Sequence, residues 1–198
     1  SKNTFIIAEA GVNHNGQLNI AKKMIKIAKN AGADCVKFQA FNISSLVSDN
    51  AKSANYQIKE TNENIQKNVL KDLVLSKQDL NILFKECIKK KIEFLCTAFD
   101  IDLLKYLVSM GMQKIKIPSG EITNFPYLIE TAKYNLPIIL STGMSNMQEV
   151  KKAYECLKSV NKNVDISILH CTSLYPAPNN TLNLKAISSL SKQYKCTI

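Results

Sequence analysis

The chain has 198 residues, 45% hydrophobic and 21% charged, enough to bury a core as one globular domain. Its net charge is +10, yet every basic residue is Lys, so the bidentate Arg contacts of nucleic-acid readers are missing and nucleic acid is not an expected partner. No apolar run approaches the ~20 residues of a membrane span, and no signal peptide is visible, because the apolar residues 4–8 run directly into polar GVNHNG.

A short apolar strand is expected over residues 4–8, ending at Glu9, followed by a loop and a helix over residues 18–30 with Ile20, Met24, Ile27 and Ala28 on one face. A second strand, residues 35–38, carries Lys37 and leads to Gln39; the two are two residues apart and share a side of the strand. Residues 42–75 form a long polar passage containing SANYQIKETNEN, which reads as a functional lid or as an exposed insertion.

From Ser76 the rhythm is regular. Ser76 caps a helix to about Lys90, with Leu80, Leu83, Phe84 and Cys87 inside. Strands follow at residues 93–96, ending at Thr97, then at 113–117, 138–140 and 166–169. Helices are expected at residues 101–109, 125–134 with Pro126 in its first turn, 146–159 and 182–194. Residues 196–198 look like the opening of a seventh strand.

Short strands that are apolar along their length belong to a parallel sheet covered on both faces. Six strand–helix units and the start of a seventh indicate an α/β protein of the (β/α)8 TIM-barrel type. A doubly wound open sheet is the alternative, but no GxGxxG follows the first strand. A complete barrel takes ~250 residues, so residues 1–198 are expected to be an incomplete N-terminal catalytic barrel domain, truncated in strand seven.

The strand tips carry the chemistry. KIKIPSGE, residues 114–121, sets Lys116 at a strand end and Ser119, Gly120 and Glu121 in the turn behind it. An ammonium, a hydroxyl and free backbone N–H groups suit an anion, and a carboxylate beside them can bind a sugar hydroxyl or move a proton. Glu9, Lys37, Gln39, Thr97, Ser141, Ser173 and Tyr175 lie at comparable positions. Singly each has an ordinary reading: a strand-end Lys snorkels, and Ser141-Thr142-Gly143 can cap a helix. Together they form a candidate pocket for a phosphate- and carboxylate-bearing substrate and a polyhydroxylated one. His170 reads as a structural, hydrogen-bonded histidine or a ligand, and His14 as a turn residue or a ligand. The six Cys form no CxxC pair or zinc spacing and read as reduced core residues of a cytoplasmic protein.

IIAEAGVNHNG, VKFQAF, CTAFD, KIKIPSGEITNFPYL, IILSTGM and ILHCTSLYPAP, in this order, resemble the N-acetylneuraminate (sialic acid) synthase family, which includes legionaminic and pseudaminic acid synthases. The resemblance runs through essentially the whole chain. It implies condensation of phosphoenolpyruvate with an N-acetylated aminosugar such as N-acetylmannosamine, or with a diacetamido sugar, releasing phosphate. Position by position, it implies phosphoenolpyruvate binding by Lys37, Thr97, Lys116, Ser119 and Ser141, and by Ser173, where family members vary. Gln39, Glu121 and Tyr175 would face the aminosugar, Glu9 would move protons, and Tyr56 and Gln57 match a YQ pair of some members. A divalent Mn²⁺ or Mg²⁺ is implied, with histidine ligands expected beyond residue 198, so that none of the residues here is a metal ligand and this piece alone is expected to be inactive. A full-length homodimer with a further antifreeze-like domain is implied as well. Other readings are a synthase for phosphorylated sugars, a Schiff-base aldolase using Lys116, and a barrel that binds anions without turnover.

Overall fold

The computed structural model describes residues 4–48, 50–53 and 65–198. Tyr56 and Gln57 lie outside the described residues. The chain divides into two compact units, Ser1–Met112 and Gln113–Ile198.

In the first unit, β1 (Ile7–Gly11), β2 (Cys35–Ala40) and β3 (Glu93–Ala98) form a parallel sheet in sequential order. Helix α1 (Leu18–Asn30) links the first pair. Between β2 and β3 lie the short α2 (Ile43–Leu46) and α3 (Gln66–Lys71), then α4 (Lys77–Lys90). Helix α5 (Ile101–Ser109) follows β3 over the expected residues. Parallel strands need such crossovers, and the core lies where helices cover the sheet: Val36, Phe38, Phe94, Leu95 and Leu104 are buried there.

Caps fix the helix starts. Ser76 and Asp79 form a reciprocal capping box on α4, each side chain taking the other residue's backbone N–H. Asp100 caps α5 by accepting from the Leu103 N–H at 2.7 Å. The passage after β2 is partly structured, with α2, α3 and an antiparallel bridge between Lys52 and Ile65.

Two expectations need correction here. The first strand begins later and runs further: Phe5 and Ile6 are half exposed, the ladder to β2 opens at Ile7 opposite Cys35, and Glu9 lies within the strand. The buried stripe of α1 is Ala21, Ile25 and Ala28, while Ile27 is 65% exposed. Two residues past Ile25 is roughly 200° around an α-helix, so both cannot face the core.

In the second unit, β4 (Ile115–Ile117), β5 (Ile138–Ser141) and β6 (Ile166–Leu169) form another sequential parallel sheet. Helix α6 (Phe125–Ala132) and α7 (Met147–Val160) are its crossovers, and α8 (Lys185–Gln193) follows β6. Asn124 caps α6, which has Pro126 in its first turn; Asn146 and Glu149 form the capping box of α7. The last helix begins three residues later than expected, because Asn183 adopts the left-handed φ of +46° after a 3-10 turn at Asn179–Thr181. The expected seventh strand is present as one parallel bridge, Ser167 to Thr197, with the Ile168 N–H donating to the Thr197 carbonyl at 2.9 Å.

All six cysteines are free. Cys35, Cys87 and Cys96 are core residues, but Cys156, Cys171 and Cys196 are only half buried, which corrects the expectation for those three. Among the described residues, no helix is long and apolar enough to cross a membrane.

Candidate functional site

In the first unit the parallel register sets Glu9 opposite Lys37 and Gln39 opposite Thr97. Lys37 is 8% exposed, and a buried ammonium needs compensation. Glu9 supplies it, with Nζ to Oε2 at 2.6 Å, and Lys37 also donates to the Thr97 hydroxyl at 3.3 Å. Having accepted from Lys37, Thr97 keeps its own O–H hydrogen for another acceptor. The Glu9 carboxyl is about half exposed and so remains reachable from solvent.

A bulge between Glu9 and Gly11 follows directly on this pair. Gly11 takes the left-handed φ of +55°, and a Cβ there would meet Glu9 Oε1 at 3.4 Å and Gln39 Nε2 at 3.9 Å. Glycine thus lets the backbone turn beside two of the predicted site residues.

The second unit repeats the pattern. Lys116, 8% exposed at the centre of β4, donates to Ser141 Oγ at 2.6 Å and to the Ile117 carbonyl at 3.2 Å. Ser119 Oγ accepts from the Gly143 N–H at 2.9 Å. Both hydroxyls accept on their inner side and keep a hydrogen to donate. A Cβ at Gly143 would lie 2.4 Å from Ser173 Oγ and 2.9 Å from Ser119 Oγ, so the glycine is the reason the two serines can stand together. Ser119 and Ser173 are therefore brought together past the ends of β4 and β6 by segments that close tightly on Gly143, while Lys116, mid-strand rather than at the strand end expected, reaches Ser141 at the end of β5.

Two predicted residues are held differently. Glu121 sits in a 3-10 turn and accepts from Asn124 Nδ2 at 2.6 Å, which fixes its carboxylate from below. Tyr175 is 74% exposed and precedes a cis proline bond. A cavity of about 600 Å³ opens beside Ser173 and Thr142, walled by Met147, Val150, His170 and Leu190; neither Lys116 nor Ser141 lines it.

The histidines resolve in opposite ways. His170 Nε2 lies 2.7 Å from the Leu182 carbonyl, the structural role expected for it. His14 is the turn residue expected, yet it is fully buried, with Nδ1 accepting from the Gly16 N–H at 3.0 Å. Burial pushes its pKa down, and the Gly11 backbone partly offsets this. The sequence hides the burial of His14, because its polar neighbours carry no core signal, and the role of Gly143, because a close approach is invisible until β4 and β6 are placed.

A parallel α/β architecture with buried lysines bonded to hydroxyls toward its strand ends is the class these features define. Residues 24–198 match the NeuB family, and the chain belongs to that family. It is 48% identical over 199 residues to an N,N'-diacetyllegionaminic acid synthase of Campylobacter jejuni, covering 100% of this chain and 60% of that protein. An N,N'-diacetyllegionaminic acid synthase of Legionella pneumophila is 44% identical over 202 residues, with 100% of this chain and 57% of that protein covered. The crystal structure of an N-acetylneuraminic acid (sialic acid) synthetase from Leptospira borgpetersenii, in complex with citrate, superposes with a TM-score of 0.87 at 35% identity, over 98% of this chain and 63% of that one. The chain thus spans about three fifths of the length of these relatives.

Proposed function

We propose that the protein containing this chain condenses phosphoenolpyruvate with an N-acetylated aminosugar to form a nonulosonic acid and inorganic phosphate. The observation that carries the reading is the repeated arrangement of a buried lysine bonded to a strand-end hydroxyl that keeps its own hydrogen to donate: Lys37 with Thr97, and Lys116 with Ser141. Fixed cations and oriented O–H donors bind a multiply charged phosphate ester without reorganising. The proposed fold is a (β/α)8 barrel, supported by the sequential parallel order within each sheet and by the sialic acid synthetase likeness.

In the proposed reaction, C3 of phosphoenolpyruvate attacks the aldehyde carbon of the open-chain sugar and the aldehyde oxygen takes a proton. Water adds at C2, and phosphate departs with cleavage of the C2–O bond, so one water is consumed for each phosphate released. Lys37, Lys116, Thr97, Ser119, Ser141 and Ser173 would hold the phosphate and carboxylate. Glu9, half exposed and paired with Lys37, would move the proton. Gln39, Glu121 and Tyr175 would bind sugar hydroxyls and the acetamido group.

Among the described residues no three His, Cys, Asp or Glu side chains stand together as metal ligands. Both histidines are committed to backbone groups. These residues do not fit a divalent ion, and no step is routed through one; the proposed Mn²⁺ or Mg²⁺ would take its ligands from beyond residue 198. A cytoplasmic homodimer completes the proposal.

The diacetyllegionaminic names of the two relatives favour a diacetamido sugar over N-acetylmannosamine as the second substrate. Phosphate release from phosphoenolpyruvate, measured on the intact gene product with each sugar in turn, tests the proposal. Sugar-dependent release is expected, faster with the diacetamido sugar. No release with either sugar, or a requirement for a phosphorylated sugar, overturns it.

A further inference from the structure

His14 is the one buried histidine among the described residues, and the proposed chemistry leaves it unused. Its Nδ1 accepts from the Gly16 N–H, so Nδ1 is unprotonated and the ring hydrogen sits on Nε2. Nε2 is buried short of a well-formed hydrogen bond, though the Gly11 backbone is near enough to raise the pKa of the ring. The ring therefore spans both ends of the β1–α1 loop, from the bulged Gly11 to Gly16.

Both ends of that loop are constrained. At one end the bulge follows directly on the Glu9–Lys37 pair and sets Gly11 opposite Phe38, and the His14 ring lies 6.2 Å from the Phe38 ring. At the other end Gly16 has a φ of +68°, and a Cβ there would lie 2.3 Å from the Asp72 carbonyl oxygen, just after α3. The loop closes through backbone bonds from Asn13 to Ala10 and from Gln17 to His14, at 3.1 and 2.9 Å. A ring wedged here fixes where the bulge falls. A bulge falling one residue earlier would take Glu9 out of the ladder and turn its side chain away from Lys37.

We propose that His14 is a positioning residue for Glu9: its ring staples the β1–α1 loop from Gly11 to Gly16 and so holds the bulge just past Glu9, which keeps the carboxylate in the ladder beside Lys37. This rests on the synthase reading for its consequence in turnover, but not for the staple itself. Asn can supply an oxygen at the place of Nδ1 and restore the bond to the Gly16 N–H. Phe fills the space without an acceptor, and Gln places its amide nearer the position of Nε2.

The test compares His14→Asn, His14→Phe and His14→Gln in the intact gene product by two readouts, steady-state kinetics and hydrogen exchange of residues 11–17. His14→Phe is expected to lower kcat at least about tenfold with KM for phosphoenolpyruvate changed less than about threefold, and to speed exchange of the loop. His14→Asn should recover both to within about threefold of the wild type, which loss of packing alone does not predict. If His14→Phe does not fold, His14→Gln takes its place, with the same losses expected. Wild-type exchange and kcat in the Phe or Gln protein overturn the proposal, as does an Asn protein as impaired as the others. A wild type that turns over no sugar would sink the synthase reading instead, and exchange of residues 11–17 still decides the staple.

Discussion

Gly143→Ala isolates the proposed anion cradle of the second unit. Gly143 does not use a left-handed backbone, so alanine adds no conformational strain, only a methyl group. That methyl would stand 2.4 Å from Ser173 Oγ and 2.9 Å from Ser119 Oγ. Ordinary carbon–oxygen contact needs more than a further half ångström from each, so both serines must rotate or the β5–α7 loop must retreat. The Gly143 N–H bond to Ser119 is then broken or bent. A hydrogen bond to a charged group contributes about 1.5–3 kcal/mol, so displacing one serine from a bound phosphate weakens binding by roughly 10- to 100-fold, and displacing both by more. The assay is calorimetric titration of phosphoenolpyruvate into the intact wild-type and variant proteins, with a thermal melt to confirm folding. A folded Gly143→Ala protein that binds phosphoenolpyruvate within about threefold of wild type would refute the claim that Ser119 and Ser173 grip the ligand.

Further outcomes are expected elsewhere. Lys116→Met removes the cation that Ser141 orients, and phosphate release should fall at least about a hundredfold; Lys116→Arg should not rescue it, since a planar guanidinium does not fit a point-charge site. Burial lowers the pKa of His14 below the usual 6.5, so the folded state binds this proton more weakly than the unfolded chain does. Stability should therefore drop as pH falls below 6.5, and urea midpoints at about pH 7.5 and about pH 5.5 should converge in His14→Phe relative to wild type. Burial pushes the Cys87 thiol up to about 12 and raises that of Cys96 as well, so both should resist alkylation near neutral pH until denaturant is added, as peptide mapping would show.

The helices were legible where local chemistry sets their ends. Ser76 with Asp79, and Asn146 with Glu149, announce their caps within four residues, and α5 was read to its last residue because Asp100 and a run of apolar positions frame it. Strand limits were less legible, since a ladder is decided by the neighbouring strand: the hydrophobicity of Phe5 and Ile6 says nothing about β2 starting at Cys35. The left-handed Asn183 and the rotation of Ile27 out of the core fail for the same reason, being settled by packing rather than by residue type.

At the site, the lysines and hydroxyls could be named because strand-end positions follow from counting. Their pairings could not, because Lys37 with Glu9 depends on the register of β1 against β2 and Ser119 with Ser173 depends on the bare face of Gly143. The burial of His14 was hidden for a related cause: a polar residue between two asparagines is carried inside by the loop it braces.

Phosphoenolpyruvate labelled with ¹⁸O at its bridging oxygen, turned over by the intact gene product with a diacetamido sugar, tests the central claim most directly. Condensation with cleavage of the C2–O bond requires the label to leave in the inorganic phosphate. Label retained in the sugar acid, or phosphate appearing at the same rate without any sugar, would contradict it.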